Sequence, residues 1–273
     1  MNRRTGRGWR VLVASVAFLA AASQVPAQDA GTGAADAEAI TAGKTDALPG
    51  HGAYFDLRRI TPITGDAARG ATRTELCSAC HGDDGISIVP IYPDIAGQRA
   101  DYMYWQLVKF KDAGFGGTVM AVAVEGLSDQ DMKDLSLYYA GLPAAGSPPD
   151  PAEAADDTED PPPPPDPALL ARGEQLYMHG EPVSGIPPCQ GCHGADARGH
   201  PDAYKADAAG FTPYAVYPAL RGQRDAYLMT RIAEYQEGKH TSLTSDFVMG
   251  GAATHLDQAS VEALATWLSS LPR

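Results

Sequence analysis

The feature that most constrains this chain is where its four cysteines fall. All four sit in two copies of one pattern, Cys77-Ser78-Ala79-Cys80-His81-Gly82 and Cys189-Gln190-Gly191-Cys192-His193-Gly194. Each copy belongs to a longer repeat. Ala68-Arg69-Gly70 precedes the first and Pro93-Asp94-Ile95-Ala96-Gly97-Gln98-Arg99 follows it. Ala171-Arg172-Gly173 and Pro218-Ala219-Leu220-Arg221-Gly222-Gln223-Arg224 stand in the same places around the second. Each half then runs through an aromatic-rich helical stretch (101–112, 225–237), a lone methionine (Met120, Met249), a leucine (Leu127, Leu256) and an amphipathic helix (129–139, 258–268). One order occurring twice is a domain duplication, and the periodicity reads as all-α. The two folded segments are expected at 66–143 and 168–273.

Residues 1–27 carry Arg3, Arg4, Arg7 and Arg10 ahead of the apolar run Val11 to Ala22, and end in Val25-Pro26-Ala27. This is the pattern of an export signal cleaved after Ala27, which directs the mature chain to the periplasm. The run is short of the roughly 20 residues a helix needs to cross a bilayer, which disfavours an uncleaved anchor. Residues 28–65 read as a flexible N-terminal tail, because Gln28 to Gly50 has too few large apolar residues to offset its ordering entropy. Residues 144–167, with the run Pro161 to Pro165 beside paired acids, read as an extended polyproline II linker. Acidic residues outnumber basic ones 34 to 21, a formal charge of -13. Such a surface repels phosphate and argues against a nucleic-acid partner.

Cysteines at i and i+3 share one helix face about one turn apart. Two thiols so placed can add to the vinyl groups along one edge of a haem, and the next residue, histidine, then projects beneath the iron. A thioredoxin-type pair needs a βαβ surround that these helical segments lack. A Cys₄ zinc site would have to reach across the proline spacer, and it leaves both histidines unexplained. Two structural disulfides stay open for an exported chain. The pattern points to two covalently bound haem c groups on Cys77, Cys80, Cys189 and Cys192, with His81 and His193 as iron ligands.

With a following Pro, a Gly-Gln and a distal Met in each half, the chain resembles the dihaem class I c-type cytochromes, close to the cytochrome c4 family. The resemblance implies two tandem cytochrome c domains, each a small helical domain around its haem. It implies Met120 as the second axial ligand beside His81, and Met249 beside His193, each on a loop before the last helix. It also implies that the carbonyls of Pro93 and Pro218 accept hydrogen bonds from the proximal imidazoles. Of the seven methionines, only Met120 and Met249 occupy equivalent positions in both halves. Met132 reads as a core packer. His200, His240 and His255 have no counterpart in the first half and read as solvent-exposed.

Leu76, Ile88, Ile91, Tyr92, Tyr102, Trp105, Leu107 and Phe110 are expected to line the first pocket. Tyr214, Tyr217, Leu220, Tyr227, Ile232 and Tyr235 are expected in the second. Ser128 followed by Asp131 signals a capping box, and Gly114 and Gly238 signal helix ends. The family packs its two haem domains together across a modest linker, whereas this linker could also tether independent carriers. The insertion 194–217 reads as a cover for the second haem, a partner surface or plain surface. Irons closed on both sides leave no place for a small-molecule substrate, so the chain reads as an electron carrier and not an enzyme. Its partners would be redox proteins with a basic docking patch (a terminal oxidase, a bc1-type complex or a dehydrogenase), and association with a membrane surface stays open. The alternatives are the cytochrome subunit of a periplasmic dehydrogenase complex and a dihaem peroxidase.

Overall fold

The computed structural model describes residues 44–45, 54–112, 118–144 and 164–272. The export signal, the stretch 28–43, Gly114 and most of the linker lie outside them. Both repeats belong to one compact unit, Ala39–Arg273. The first repeat runs α1 (Ala67–Ala71), α2 (Glu75–His81), α3 (Ala100–Asp112), α4 (Val119–Val124) and α5 (Asp129–Gly141). The second repeats that order with α6 (Pro167–His179), α7 (Gln190–His193), α8 (Asp225–Gln236), α9 (Thr244–Ala253) and α10 (Gln258–Ser270). Among the described residues the only sheet is a two-residue antiparallel ladder, β1 (Lys44–Thr45) with β2 (Tyr54–Phe55). No described helix is long and apolar enough to cross a membrane.

Local signals set the helix ends. Ser128 accepts from the Asp131 N–H while the Asp131 carboxylate accepts from the Ser128 N–H, so α5 starts at the expected capping box. Asp166 caps α6, with Pro167 at the first helical position, where no N–H is needed. Gly238, at φ +67°, follows α8 as a left-handed helix stop.

In each half the first and last helices pack together, α1 on α5 and α6 on α10. The glycine of the repeated Ala-Arg-Gly sits at each crossing. A Cβ on Gly70 would lie 2.2 Å from the Asp134 carbonyl oxygen, and one on Gly173 would lie 2.1 Å from that of Ala263. The backbones approach so closely that only hydrogen fits. Leu176, Tyr177, Leu228, Leu264 and Leu268 fill the core beneath the second crossing, and Met103, Leu135 and Tyr139 fill the smaller one in the first.

The two repeats pack directly against each other through reciprocal contacts. Gln98 donates to the Ala219 carbonyl and accepts from the Ala219 N–H, both at 2.9 Å. Its repeat counterpart Gln223 does the same to Asp94, again at 2.9 Å each way. Asp94 and Ala219 are themselves counterparts, each following the repeated proline. Arg224 closes an ion pair on Asp94 at 2.9 Å. Lys109 on α3 and Asp246 on α9 form a second inter-repeat ion pair at 2.9 Å, with both side chains fully buried.

Two segments differ from expectation. The stretch 54–65, expected in the tail, is ordered between the repeats. Phe55 N–H donates to Ser242 O, Leu57 N–H to Thr244 Oγ1, and Ile63 N–H to the Asp101 carboxylate. Phe55, Leu57 and Ile60 are buried with Tyr104, Trp105, Ala215, Val216 and Leu243 in a core that neither repeat builds alone. The insertion after His193 shares that core. Thr212 N–H donates to Ile60 O at 2.8 Å, and Arg99 donates to the carbonyls of Arg198 and His200. The insertion is thus an inter-repeat strut.

Gly173→Ala is expected to destabilise the protein by about 1–3 kcal/mol, the usual cost of overpacking. Denaturant unfolding checks this, with the exposed Gly126→Ala, which meets nothing within 4 Å and lies outside the helices, as the control expected not to destabilise.

Candidate functional site

Each Cys-x-x-Cys-His pattern sits on one short helix and stops at a glycine. Gly82 (φ +79°) and Gly194 (φ +77°) turn the chain sharply. Added Cβ atoms there would lie 2.1 Å from Ile86 O and 2.5 Å from Gly199 O, so the sixth residue of each pattern has to be glycine. The turn carries the chain back over the histidine. His81 Nδ1 lies 2.8 Å from Pro93 O, and His193 Nδ1 lies 3.0 Å from Pro218 O. A carbonyl only accepts, so Nδ1 carries the proton in both rings and Nε2 keeps a lone pair. Both rings are buried, and burial holds each imidazole's pKa below its ordinary value. They are neutral and competent as ligands.

None of the four cysteines is disulfide-bonded, which removes the structural-disulfide reading. Burial raises the pKa of Cys77 and Cys192, and lifts that of Cys189 to about 11. Thiols held protonated in apolar surroundings are not thioredoxin-type nucleophiles. Among the described residues, no cluster of three or more His, Cys, Asp or Glu could hold a metal ion, which leaves the zinc reading without a site.

Both patterns open onto one cavity of about 1030 Å³. It stands at the upper end of the ~300–1,000 Å³ of an ordinary small-molecule pocket, and residues of both repeats line it. Cys77, Cys80, His81 and Met120 line it on one side, and Cys189, Cys192, His193 and Met249 on the other. Both methionines stand on helices where loops are expected: Met120 on α4, whose N-terminus is capped by Thr118, and Met249 on α9. Tyr92, Tyr102, Leu107 and Phe110 line the first half, with Tyr217, Leu220, Tyr227, Ile232 and Tyr235 in the second, as expected. Leu76 and Ile91 line it while staying more than half exposed. The walls are mostly apolar, but Arg231 Nε is buried in them with no partner among the described residues. A large apolar slot with paired thiols, open imidazole nitrogens and a buried unpaired N–H of a cation fits haem, an apolar macrocycle with anionic carboxylates.

Three expected pocket residues lie elsewhere. Ile88 is 91% exposed. Trp105 turns into the inter-repeat core against Phe55, at 5.9 Å between ring centroids. Tyr214 stacks on His200 at 4.1 Å instead of facing the cavity. Met132 is a buried core residue, as expected. His255 is exposed, as expected, but also lines the cavity, and His240 is 5% exposed, against expectation. It packs under α8, where its Nε2 lies 2.7 Å from Arg231 Nη1 and 3.0 Å from the Glu234 carboxylate. The interface roles of Gln98 and Gln223 go beyond the sequence reading, although their repetition in both halves is a signal for them.

Tandem Cys-x-x-Cys-His helices on a shared apolar cavity define a c-type cytochrome with two haems. The family model for cytochrome c matches residues 67–142 and 170–272. Cytochrome c4 of Stutzerimonas stutzeri is 32% identical over 76% of this chain and 90% of its own length. The thiosulfate dehydrogenase electron acceptor of Thiomonas intermedia is 30% identical, over 72% of this chain and 78% of its own. The crystal structure of reduced cytochrome c4 from Pseudomonas stutzeri superposes with a TM-score of 0.58 at 30% identity, covering 76% of this chain and all of that one. The chain belongs to the cytochrome c4 family of dihaem electron-transfer proteins. It carries electrons and is not an enzyme.

The charges around His240 give a pH prediction. Burial, then the charges of Lys109 and Arg231, hold its pKa at about 3, with Asp246 opposing and Lys239 adding. Unfolded, the ring takes up a proton near 6.5. Its contribution to stability is therefore complete above about pH 6.5 and is lost as pH falls towards 3. His240→Gln should flatten the decline in stability between about pH 6.5 and 4, measured by denaturant unfolding. An unchanged slope contradicts the assignment.

Proposed function

We propose that this chain is a periplasmic electron carrier whose two irons are each held between histidine and methionine, His81 with Met120 and His193 with Met249. One observation carries the reading. In both repeats, at equivalent positions, a thioether lines the same cavity as a proline-braced neutral imidazole. Haem supplies a one-electron ferric/ferrous couple when attached through Cys77 and Cys80, and through Cys189 and Cys192. The protein's part is to keep that couple from rearranging. The carbonyls of Pro93 and Pro218 fix each imidazole's tautomer and raise its basicity, so the ligand need not turn as the iron changes charge. The apolar walls keep water away, and methionine favours the ferrous state. Held by His81 with Met120 and by His193 with Met249, the irons would have no coordination position left for a reactant.

The export signal at 1–27 and the family membership support the periplasmic location. The matched segments, 67–142 and 170–272, support placing the two domains at 66–143 and 168–273. The partner is a redox protein met briefly, over a small interface under ~1,200 Å². The net charge of -13 favours a basic docking patch on it. A sulfur-compound dehydrogenase is one such partner, since a relative similar over 72% of the chain is named a thiosulfate dehydrogenase electron acceptor.

Met120→Ala and Met249→Ala test the ligand set by spectroelectrochemical titration of the holoprotein. Each is expected to lower one of the two reduction steps by more than about 100-fold in equilibrium constant, roughly 120 mV at 59 mV per decade, and to leave the other step in place. A variant that keeps both potentials contradicts the assignment of that methionine.

A further inference from the structure

Each proline that braces an imidazole does so through one half of a peptide group, and the opposite repeat holds the other half. Pro93 O accepts from His81 Nδ1–H at 2.8 Å, and the N–H of that same peptide group, on Asp94, donates to Gln223 Oε1 at 2.9 Å. In the second site Pro218 O accepts from His193 Nδ1–H at 3.0 Å, and the Ala219 N–H donates to Gln98 Oε1 at 2.9 Å. Two unbroken chains result. Each runs from imidazole N–H to carbonyl, through one amide, and from its N–H to a side-chain oxygen. Both cross the boundary between the repeats.

The glutamine side chains are fixed in place. Each Oε1 takes a second N–H from the next residue in its own repeat, Arg99 at 2.9 Å or Arg224 at 3.1 Å. Each Nε2 donates to a carbonyl of the opposite repeat, Ala219 or Asp94, at 2.9 Å. Backbone N–H groups only donate and carbonyls only accept, so the orientation of each amide is forced. Both side chains are buried, where hydrogen bonds in series polarise one another. An acceptor on the Ala219 N–H draws amide electrons onto the Pro218 oxygen and makes it a stronger acceptor for His193. The imidazole then gains imidazolate character. Gln223 does the same to Pro93 and His81.

We propose that Gln98 and Gln223 are positioning residues that act crosswise: Gln98 of the first repeat tunes the His193 site, and Gln223 of the second tunes the His81 site. A more imidazolate-like ligand donates more charge and favours ferric iron. Each glutamine therefore lowers the reduction potential of the haem in the other repeat. The inference rests on His81 and His193 as iron ligands and is independent of which residue is the sixth.

The test is a redox titration of the holoprotein followed by proton NMR, with each haem's resonances assigned through contacts to His81 or His193, so that each site is read separately. Gln98→Met keeps the side-chain size and loses the acceptor. It should raise the His193 site about threefold in equilibrium constant, 28 mV at 59 mV per decade, and move the His81 site by less than a third of that. In the reduced state the His193 Nδ1–H resonance should move upfield and exchange faster with solvent, while that of His81 stays. Gln223→Met should do the reverse, which keeps the proposal testable if Gln98→Met loses haem. Gln98→Glu keeps an acceptor on the Ala219 N–H, charged or protonated, and should leave the His193 site at or below its wild-type potential. Unmoved potentials, a shift confined to the glutamine's own repeat, an equal shift of both sites, or a rise in Gln98→Glu equal to that in Gln98→Met overturns the proposal. An imidazole with no haem ring-current shift in the reduced wild type overturns instead the ligand reading beneath it.

Discussion

The structure depends on one hydrogen bond made twice, from the Nδ1–H of a buried histidine to the carbonyl of a proline. Both motif helices are short, α7 with four residues, and a helix of that length has no stability of its own. What holds each imidazole is the loop folded back over it by Gly82 or Gly194, with the proline carbonyl as the fixed point. The residue after each proline, Asp94 or Ala219, is gripped at both its N–H and its carbonyl by a glutamine from the other repeat. The bond that orients each imidazole is therefore continuous with the bonds that join the repeats. Neither site is set by its own half alone.

This coupling gives the extra segments a purpose. The stretch 54–65 and the insertion after His193 complete a buried core of Phe55, Leu57, Ile60, Trp105, Val216 and Leu243, lying between the repeats. Rotating one repeat on the other would break that core, the paired glutamines and the buried Lys109–Asp246 ion pair together. Breaking a buried ion pair costs about 3–5 kcal/mol when one partner is left behind. A fixed relation between the haem sites suits a carrier, because transfer between them then needs no search.

Much of this is legible in the sequence. The repeat locates the middle and last helices of each half, Ser128 and Asp131 mark a real capping box, and Gly238 marks a real helix end. The Cys-x-x-Cys-His patterns locate both sites because their chemistry is local: thiols one turn apart with histidine next in line. What cannot be read is what depends on remote partners. Phe55, Leu57 and Ile60 look like stray apolar residues in a polar lead-in until Leu243, nearly 190 positions away, is beside them. Trp105 and Tyr102 lie three apart on one helix and both read as pocket residues, yet only Tyr102 faces the cavity. His240 reads as a surface histidine because Arg231, Lys109 and Asp246 reach it only in the fold.

The central claim is that the protein closes both faces of both irons, so that electrons pass and nothing binds. Carbon monoxide coordinates any ferrous haem that has an open or readily vacated axial position. The direct measurement is the visible spectrum of the fully reduced holoprotein before and after adding carbon monoxide at neutral pH. The account predicts superimposable spectra over minutes. Prompt, stoichiometric formation of a carbon monoxide complex at either haem would contradict it and return the molecule to the enzymes.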